Sequence, residues 1–591
     1  MRVRHTKTAR IGNWGIPALL FCVAAATATA VQSQQSAPAP QQPSSAPPAA
    51  TANPSPAPGD QAAKSSGKTV TRITPEQAKQ LFALVDELIK FSSDETGLPI
   101  KSTVKRTLTT RAAVESYLDE KFNEDEGAKR LERDEVVLKK FGLLDRDFEL
   151  KPFLLALLKE QIEAYYDSKT KTVNILDWID PDEQKPVMAH ELTHALQDQH
   201  SNLEKWDDQT PDDVSHDAAG DQDHLARDEM DTARDAVAEG QATAVMMDYI
   251  LKPLGKSLVK DPEVLDIVRS QMNSTEDSPV MARAPLLLSE SMLFPYREGL
   301  SFEQDIWMDQ GQTAAFSGAL DRPPTSSWEI INPRVYEQRK IPAIPLLPNI
   351  HPLVDSLYVP YDIGQIGELD VHIITELFGG DNASRDLTPA WDGGLYWAGQ
   401  LRSATTPEEQ ASTKSLGLFY LSVWKSADSA QVFTKLYTKN LGRKYSSLQL
   451  QTSANLPAPS DDGSIDGSVE QVYSTDEGPV VITTRGKLVF VAESFPLPLA
   501  RKLTSLILDA QGGGAMRMTS VPRESPYSSA SPTLHASIDP VHVSFAPAQS
   551  SRQAVTTSGE PTTLSGDLVH FFRDCGVMKA AVDAELRAVE R

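Results

Sequence analysis

The stretch that decides the reading is Pro186-Val187-Met188-Ala189-His190-Glu191-Leu192-Thr193-His194-Ala195-Leu196-Gln197-Asp198. Residues four apart share a face of a helix, so His190 and His194 can present both imidazoles to one metal ion while Glu191 points beside it. Zinc suits that ligand geometry. Val187, Met188, Leu192, Ala195 and Leu196 fall on the other side, which predicts a core face opposite the metal face.

A zinc site that keeps one position open for water needs a third protein ligand, and two residues compete. His200 lies six residues beyond His194, but in a continuing helix it is rotated by about 240° and cannot reach the ion. Glu239 sits in Asp235-Ala-Val-Ala-Glu239-Gly-Gln-Ala-Thr-Ala-Val-Met-Met, where it is the only charge from Ala236 to Met247. A carboxylate among small and apolar neighbours is costly unless it is paired or metal-bound. Gly240 and Ala242 would let this second helix approach the first closely.

HELTH at 190–194, followed by a helix with Glu239 in an AxxEGxA context, resembles the gluzincin class of zinc metallopeptidases. The resemblance implies a zincin fold, one Zn2+ held by His190, His194 and Glu239, an upstream sheet whose edge strand binds extended peptide, and peptide-bond hydrolysis. It covers about residues 165 to 249. It departs from the thermolysin-like pattern in having no Asn before Glu239 and Thr243 four positions after it, so Asp235 is a candidate substitute partner for the first zinc-binding histidine. More loosely, Phe294-Pro295-Tyr296-x-x-Gly299 and Pro323-Pro324-Thr-Ser-Ser-x-Glu-Ile-Ile-Asn-Pro333 resemble segments of uncharacterised secreted bacterial proteins. In such a site Glu191 is the expected general base. Tyr296, His224 and His216 are candidate donors to the oxyanion.

Outward from the site, Tyr165 to Asp177 reads as a hairpin with a polar Asp-Ser-Lys turn. Thr74-Pro75-Glu76-Gln77 carries the N-cap, first-turn Pro and N3 Gln of a helix start, and further helices are expected over 110–122 and 151–164. From Ser201 through Glu239 there are 13 acidic residues against Lys205, Arg227 and Arg234. Such a loop would overhang the site, either as a solvated segment or as a rim favouring basic substrates or calcium; no EF-hand spacing occurs in it. Beyond residue 350, strand-like Leu416–Trp424 and 469–494 alternate with helices from Ser426 and over 498–508, predicting a small α+β domain with an antiparallel sheet. That region holds no concentrated catalytic set, and His351 and His372 are isolated.

The fold class expected is therefore α+β: a mainly helical zincin-like domain over 71–345, an α+β accessory domain over 346–511, and disordered flanks. Residues 1 to 30 carry Arg2, Arg4, Lys7 and Arg10 before an uncharged apolar run ending Ala28-Thr29-Ala30, the pattern of a cleaved signal peptide, so an exported protein, periplasmic or extracellular, is expected. Residues 31 to 70 form a Pro/Ala/Ser-rich linker, 512 to 566 a second low-complexity tract, and 567 to 591 a short helix. With 57 Lys plus Arg against 81 Asp plus Glu among 591 residues, the net charge of −24 argues against nucleic acid as a partner. The two cysteines, Cys22 and Cys575, offer neither a disulfide framework nor a thiolate metal site. The expected partner is a peptide or protein substrate, with no integral membrane span after signal cleavage. A secreted binding or scaffold protein with a structural or vestigial zinc is the rival reading, and a zinc hydrolase acting on a non-peptide amide is a third.

Overall fold

The computed structural model describes residues 73 to 513, apart from positions 124, 163, 208, 212–213, 274–277 and 457–467. The signal peptide, the linker and the C-terminal helix read from sequence lie outside the described residues, as does nearly all of the second low-complexity tract. The chain is mixed α+β, with a three-stranded sheet inside a helical first region and a seven-stranded antiparallel sheet in the second.

The first region opens with α1 (Pro75–Thr96), whose start is the expected reciprocal box. The Gln77 backbone N–H donates to Thr74 Oγ1, and Gln77 Oε1 accepts from the Thr74 backbone N–H. There follow β1 (Lys105–Thr109), α2 (Arg111–Asn123), α3 (Asp125–Phe141), α4 (Leu150–Gln161), β2 (Ala164–Asp167) and β3 (Thr172–Leu176). The hairpin between β2 and β3 is closed by Asp167 Oδ1, which accepts from the backbone N–H groups of Lys169 and Thr170. β3 pairs antiparallel with β2 and parallel with β1, leaving β2 as an edge strand beside the next helix, α5 (Pro181–Ser201).

Asp180 caps α5 and Pro181 occupies its first turn. Leu192, Ala195 and Leu196 are buried as expected, but His190, Glu191 and His194 are buried too, so this helix is enclosed on both faces. Then come α6 (Leu203–Asp207), α7 (Ala218–Arg227), α8 (Met230–Leu251), α9 (Val264–Met272) and α10 (Leu286–Gln310), followed by a single π-turn, Ala314–Gly318. α8 packs against both α5 and α10. The close approach made by Gly240 is to α10, not to α5: a Cβ there would strike the backbone of Gly299, and one at Gly299 would strike the carbonyl of Ala236. Gly299 of the Phe294-Pro295-Tyr296-x-x-Gly299 segment is thus a packing residue of the α8–α10 contact.

In the second region the sheet order is β4 (Tyr358–Gln365), β5 (Trp391–Leu401), β6 (Leu416–Trp424), β10 (Leu488–Glu493), β9 (Gly478–Arg485), β8 (Ser468–Thr475), β7 (Leu448–Leu456). Successive strand residues feed opposite faces, and both are covered. Tyr420 joins Phe433 and Tyr437 of helix Ala427–Lys444, whereas Phe419 and Leu421 join Leu503 and Ile507 of helix Leu497–Ala510. α3 sends Val136, Val137 and Phe141 into the first of these cores, so the N-terminal half of the chain helps to build the second layer.

Candidate metal centre

His190 and His194 lie one turn apart on α5, and Glu239 reaches them from the middle of α8. Glu239 Oε2 is 3.1 Å from His190 Nε2 and 3.4 Å from His194 Nε2, and the two Nε2 atoms are 3.1 Å apart. All three side chains are buried, and their ligand atoms lie within 4.8 Å of one another. Among the described residues this is the one group of His, Cys, Asp and Glu so placed, and it could hold a metal ion. The chemistry of the donor set fits: two imidazole nitrogens and a carboxylate oxygen converge. Burial opposes charging of His194, but the field of Glu239 and its hydrogen bond win and push it up to about 9. Burial likewise opposes ionisation of Glu239, yet His194 and His190 hold it down at about 2.

Glu191 stands next to the group. Its Oε2 accepts a 2.7 Å hydrogen bond from the backbone N–H of Tyr166 in edge strand β2, so the carboxylate is aimed by the sheet rather than by its own helix. The Tyr166 hydroxyl donates to Asp198 at 2.8 Å, and Lys171 reaches the same carboxylate at 2.7 Å, which pins β2 to α5. A cavity of about 30 Å³, room for about one water, lies against Tyr166, Glu191, His194, Asp235 and Glu239. Leu203, Trp206 and Asp207 of α6 cover it. α6 is held by Trp206 Nε1, which donates to the Leu320 carbonyl at 2.8 Å, and by the Arg234 guanidinium 5.2 Å from the Trp206 ring centre.

The remaining candidates separate clearly. His200 is outside the group, because α5 runs on to Ser201 and carries its Nε2 to Asp321 at 2.9 Å. Tyr296, on α10, is buried with its ring stacked 6.4 Å from that of His190. His224 faces Asp228 at 3.5 Å and His216 is exposed, and neither lines the cavity. Asp235 stands one turn before Glu239 on the cavity wall. It is not the partner of His190, whose Nδ1 has no hydrogen-bond partner among the described residues. Burial, then the nearby Asp207, push the Asp235 carboxyl well above the usual range.

The acidic segment is largely consumed by local structure. Asp217 caps α7, Asp221 binds His351 at 3.1 Å, Asp223 pairs with Arg227, and Asp231 accepts from the Gln209 and Thr210 backbone. His372 pairs with Glu376 at 3.3 Å and with Ser384 at 2.8 Å. Sequence reasoning missed Gln197, Gln241 and Tyr166. The first two carry a readable signal, since an amide three residues after His194 and another two after Glu239 lie on the faces that α5 and α8 turn toward each other.

Searches against family models, curated proteins and solved structures found no match to this chain. No helix among the described residues is long and apolar enough to cross a membrane.

Proposed function

We propose that this chain is an exported zinc metallopeptidase of gluzincin type, with His190, His194 and Glu239 as ligands and Glu191 as general base. The observation that carries the reading is the convergence of the three buried ligand atoms within 4.8 Å, with the Glu191 carboxylate beside them on the wall of one cavity. Bound there, zinc would supply Lewis acidity, lowering the pKa of water toward neutrality and polarising a carbonyl oxygen. Glu191, steadied by the Tyr166 N–H, accepts the proton of the attacking water and returns it to the leaving amine. Edge strand β2 offers the backbone beside which an extended peptide would lie. The basic, then apolar residues 2 to 30 support export, and a peptide or protein is the substrate class this chemistry serves.

The experiment is cleavage of a broad peptide library by the wild type beside Glu191→Gln. The wild type should cleave, and the variant should retain zinc while losing on the order of 10²- to 10⁴-fold in rate. One observation favours the rival, a binding or scaffold protein with a structural zinc: all three ligand side chains are buried, and structural sites are closed where catalytic ones keep an open position. A wild type that binds zinc yet cleaves nothing in the library would decide for that rival.

A further inference from the structure

His194 is tied into a chain of side-chain amides whose direction is fixed at its far end. Gln241, fully buried on α8, donates through Nε2 to the carbonyls of Ala315 and Phe316 in the π-turn, at 2.9 and 3.0 Å. Reversing that amide would set its oxygen against two carbonyl oxygens, so the Gln241 Oε1 must face the other way, where it accepts from Gln197 Nε2 at 2.9 Å. Gln197 Nε2 gives a second hydrogen bond to the Ala238 carbonyl at 2.9 Å, which fixes this amide as well. Its Oε1 is thereby left facing His194 Nδ1 at 2.8 Å, and an acceptor there requires Nδ1 to carry the proton. Among the described residues His190 has no such partner at its Nδ1. Glu303 of α10 lies beside Gln241, fully enclosed. Burial pushes its carboxyl well above the usual range, opposed by the Gln241 amide.

We propose that Gln197 and Gln241 are positioning residues: the relay from the π-turn through both amides holds His194 with Nδ1 protonated and its Nε2 lone pair turned toward Glu239 and the metal. It rests on the metal reading above but adds a device of its own. The ring is oriented by the α8–α10 layer, so the π-turn after α10 is mechanically part of the metal centre although it contributes no ligand. Orienting hydrogen bonds of this kind raise ligand basicity and remove the wrong tautomer, and their loss costs roughly 10- to 100-fold in metal affinity.

The test measures zinc dissociation constants by chelator competition on the full chain, together with the His194 Nδ1–H signal in histidine-labelled protein, zinc-loaded and zinc-free. Gln197→Leu should weaken zinc binding roughly 10- to 100-fold and lose the hydrogen-bonded Nδ1–H signal. Gln241→Leu should shift both in the same direction as Gln197→Leu by a smaller factor. The relay is overturned if Gln197→Leu matches the wild type in both readouts. Should Gln197→Leu fail to fold, Gln241→Leu decides: an unchanged Nδ1–H signal there overturns the relay. A wild type that binds no zinc would refute the metal reading, while the relay would still stand or fall on the signal in zinc-free protein.

Discussion

Two clusters of buried charge, one in each half of the chain, are satisfied in opposite ways. Behind the seven-stranded sheet, Lys444 Nζ lies 2.5 and 2.7 Å from the two oxygens of Glu493, which also accepts from the hydroxyls of Tyr437 and Tyr445. Beside it, Lys140 at the end of α3 donates to Glu477 at 2.8 Å, to Ser494 at 2.6 Å and to the Thr413 carbonyl at 3.2 Å. Cations and carboxylates are matched within the protein, and nothing remains for a ligand to do. At the candidate metal centre the arrangement differs: two imidazole nitrogens and a carboxylate oxygen converge within 3.1 to 3.4 Å of one another. A cluster that closes on itself is architecture, and one whose acceptors converge on a common point is a receptor for a cation.

The sharpest way to break this comparison is Glu493→Ala. It strands Lys444 in a site where burial, opposed by Glu493, already holds the ammonium down at about 8, and it should destabilise the chain by about 3–5 kcal/mol in urea denaturation. Zinc affinity measured on the folded variant should not change. A urea midpoint equal to that of the wild type would mean that the paired cluster contributes no net stability.

A smaller effect is expected at the junction of the two halves, where buried acids solve the problem by keeping protons. Burial, with Asp370 and Asp228 nearby, pushes Glu229 up to about 8. Burial and Asp134 raise Asp362 to about 7, while burial raises Glu368 to about 7 against the Asn332 hydrogen bond. For Glu229 the ordinary value is 4.5, so between there and about 8 the folded chain binds more protons than the unfolded one. Stability therefore falls as pH rises through that window. Glu229→Gln cannot ionise, so its melting temperature should decline less than that of the wild type between about pH 5 and about pH 9. Parallel declines in the two proteins would remove Glu229 from the account.

The convergent group was legible in the sequence because helical spacing is local: His190 and His194 share a face by arithmetic, and Glu239 stands out as the one charge between Ala236 and Met247. The same arithmetic turned His200 away, and the structure carries it to Asp321. The hairpin, the α1 box and β6 were equally local, and they stand where their residues predict. Three features were not legible, for one physical reason. β1 is five residues of mixed polarity whose parallel partner lies 67 positions later, α3 spends its apolar face on a sheet more than 200 residues on, and Glu191 is aimed by a backbone N–H that no side-chain identity encodes. Each depends on what the rest of the fold brings alongside. The Gly240 contact failed the same way, since small residues mark a close approach without saying to which helix.

Elemental analysis of the purified full chain, after dialysis against zinc, tests the central claim most directly. Wild type and His200→Ala should each carry about one zinc per chain, while His190→Ala and Glu239→Ala stay folded by circular dichroism and carry none. Zinc retained by Glu239→Ala, or released by His200→Ala, would contradict the assignment of the site.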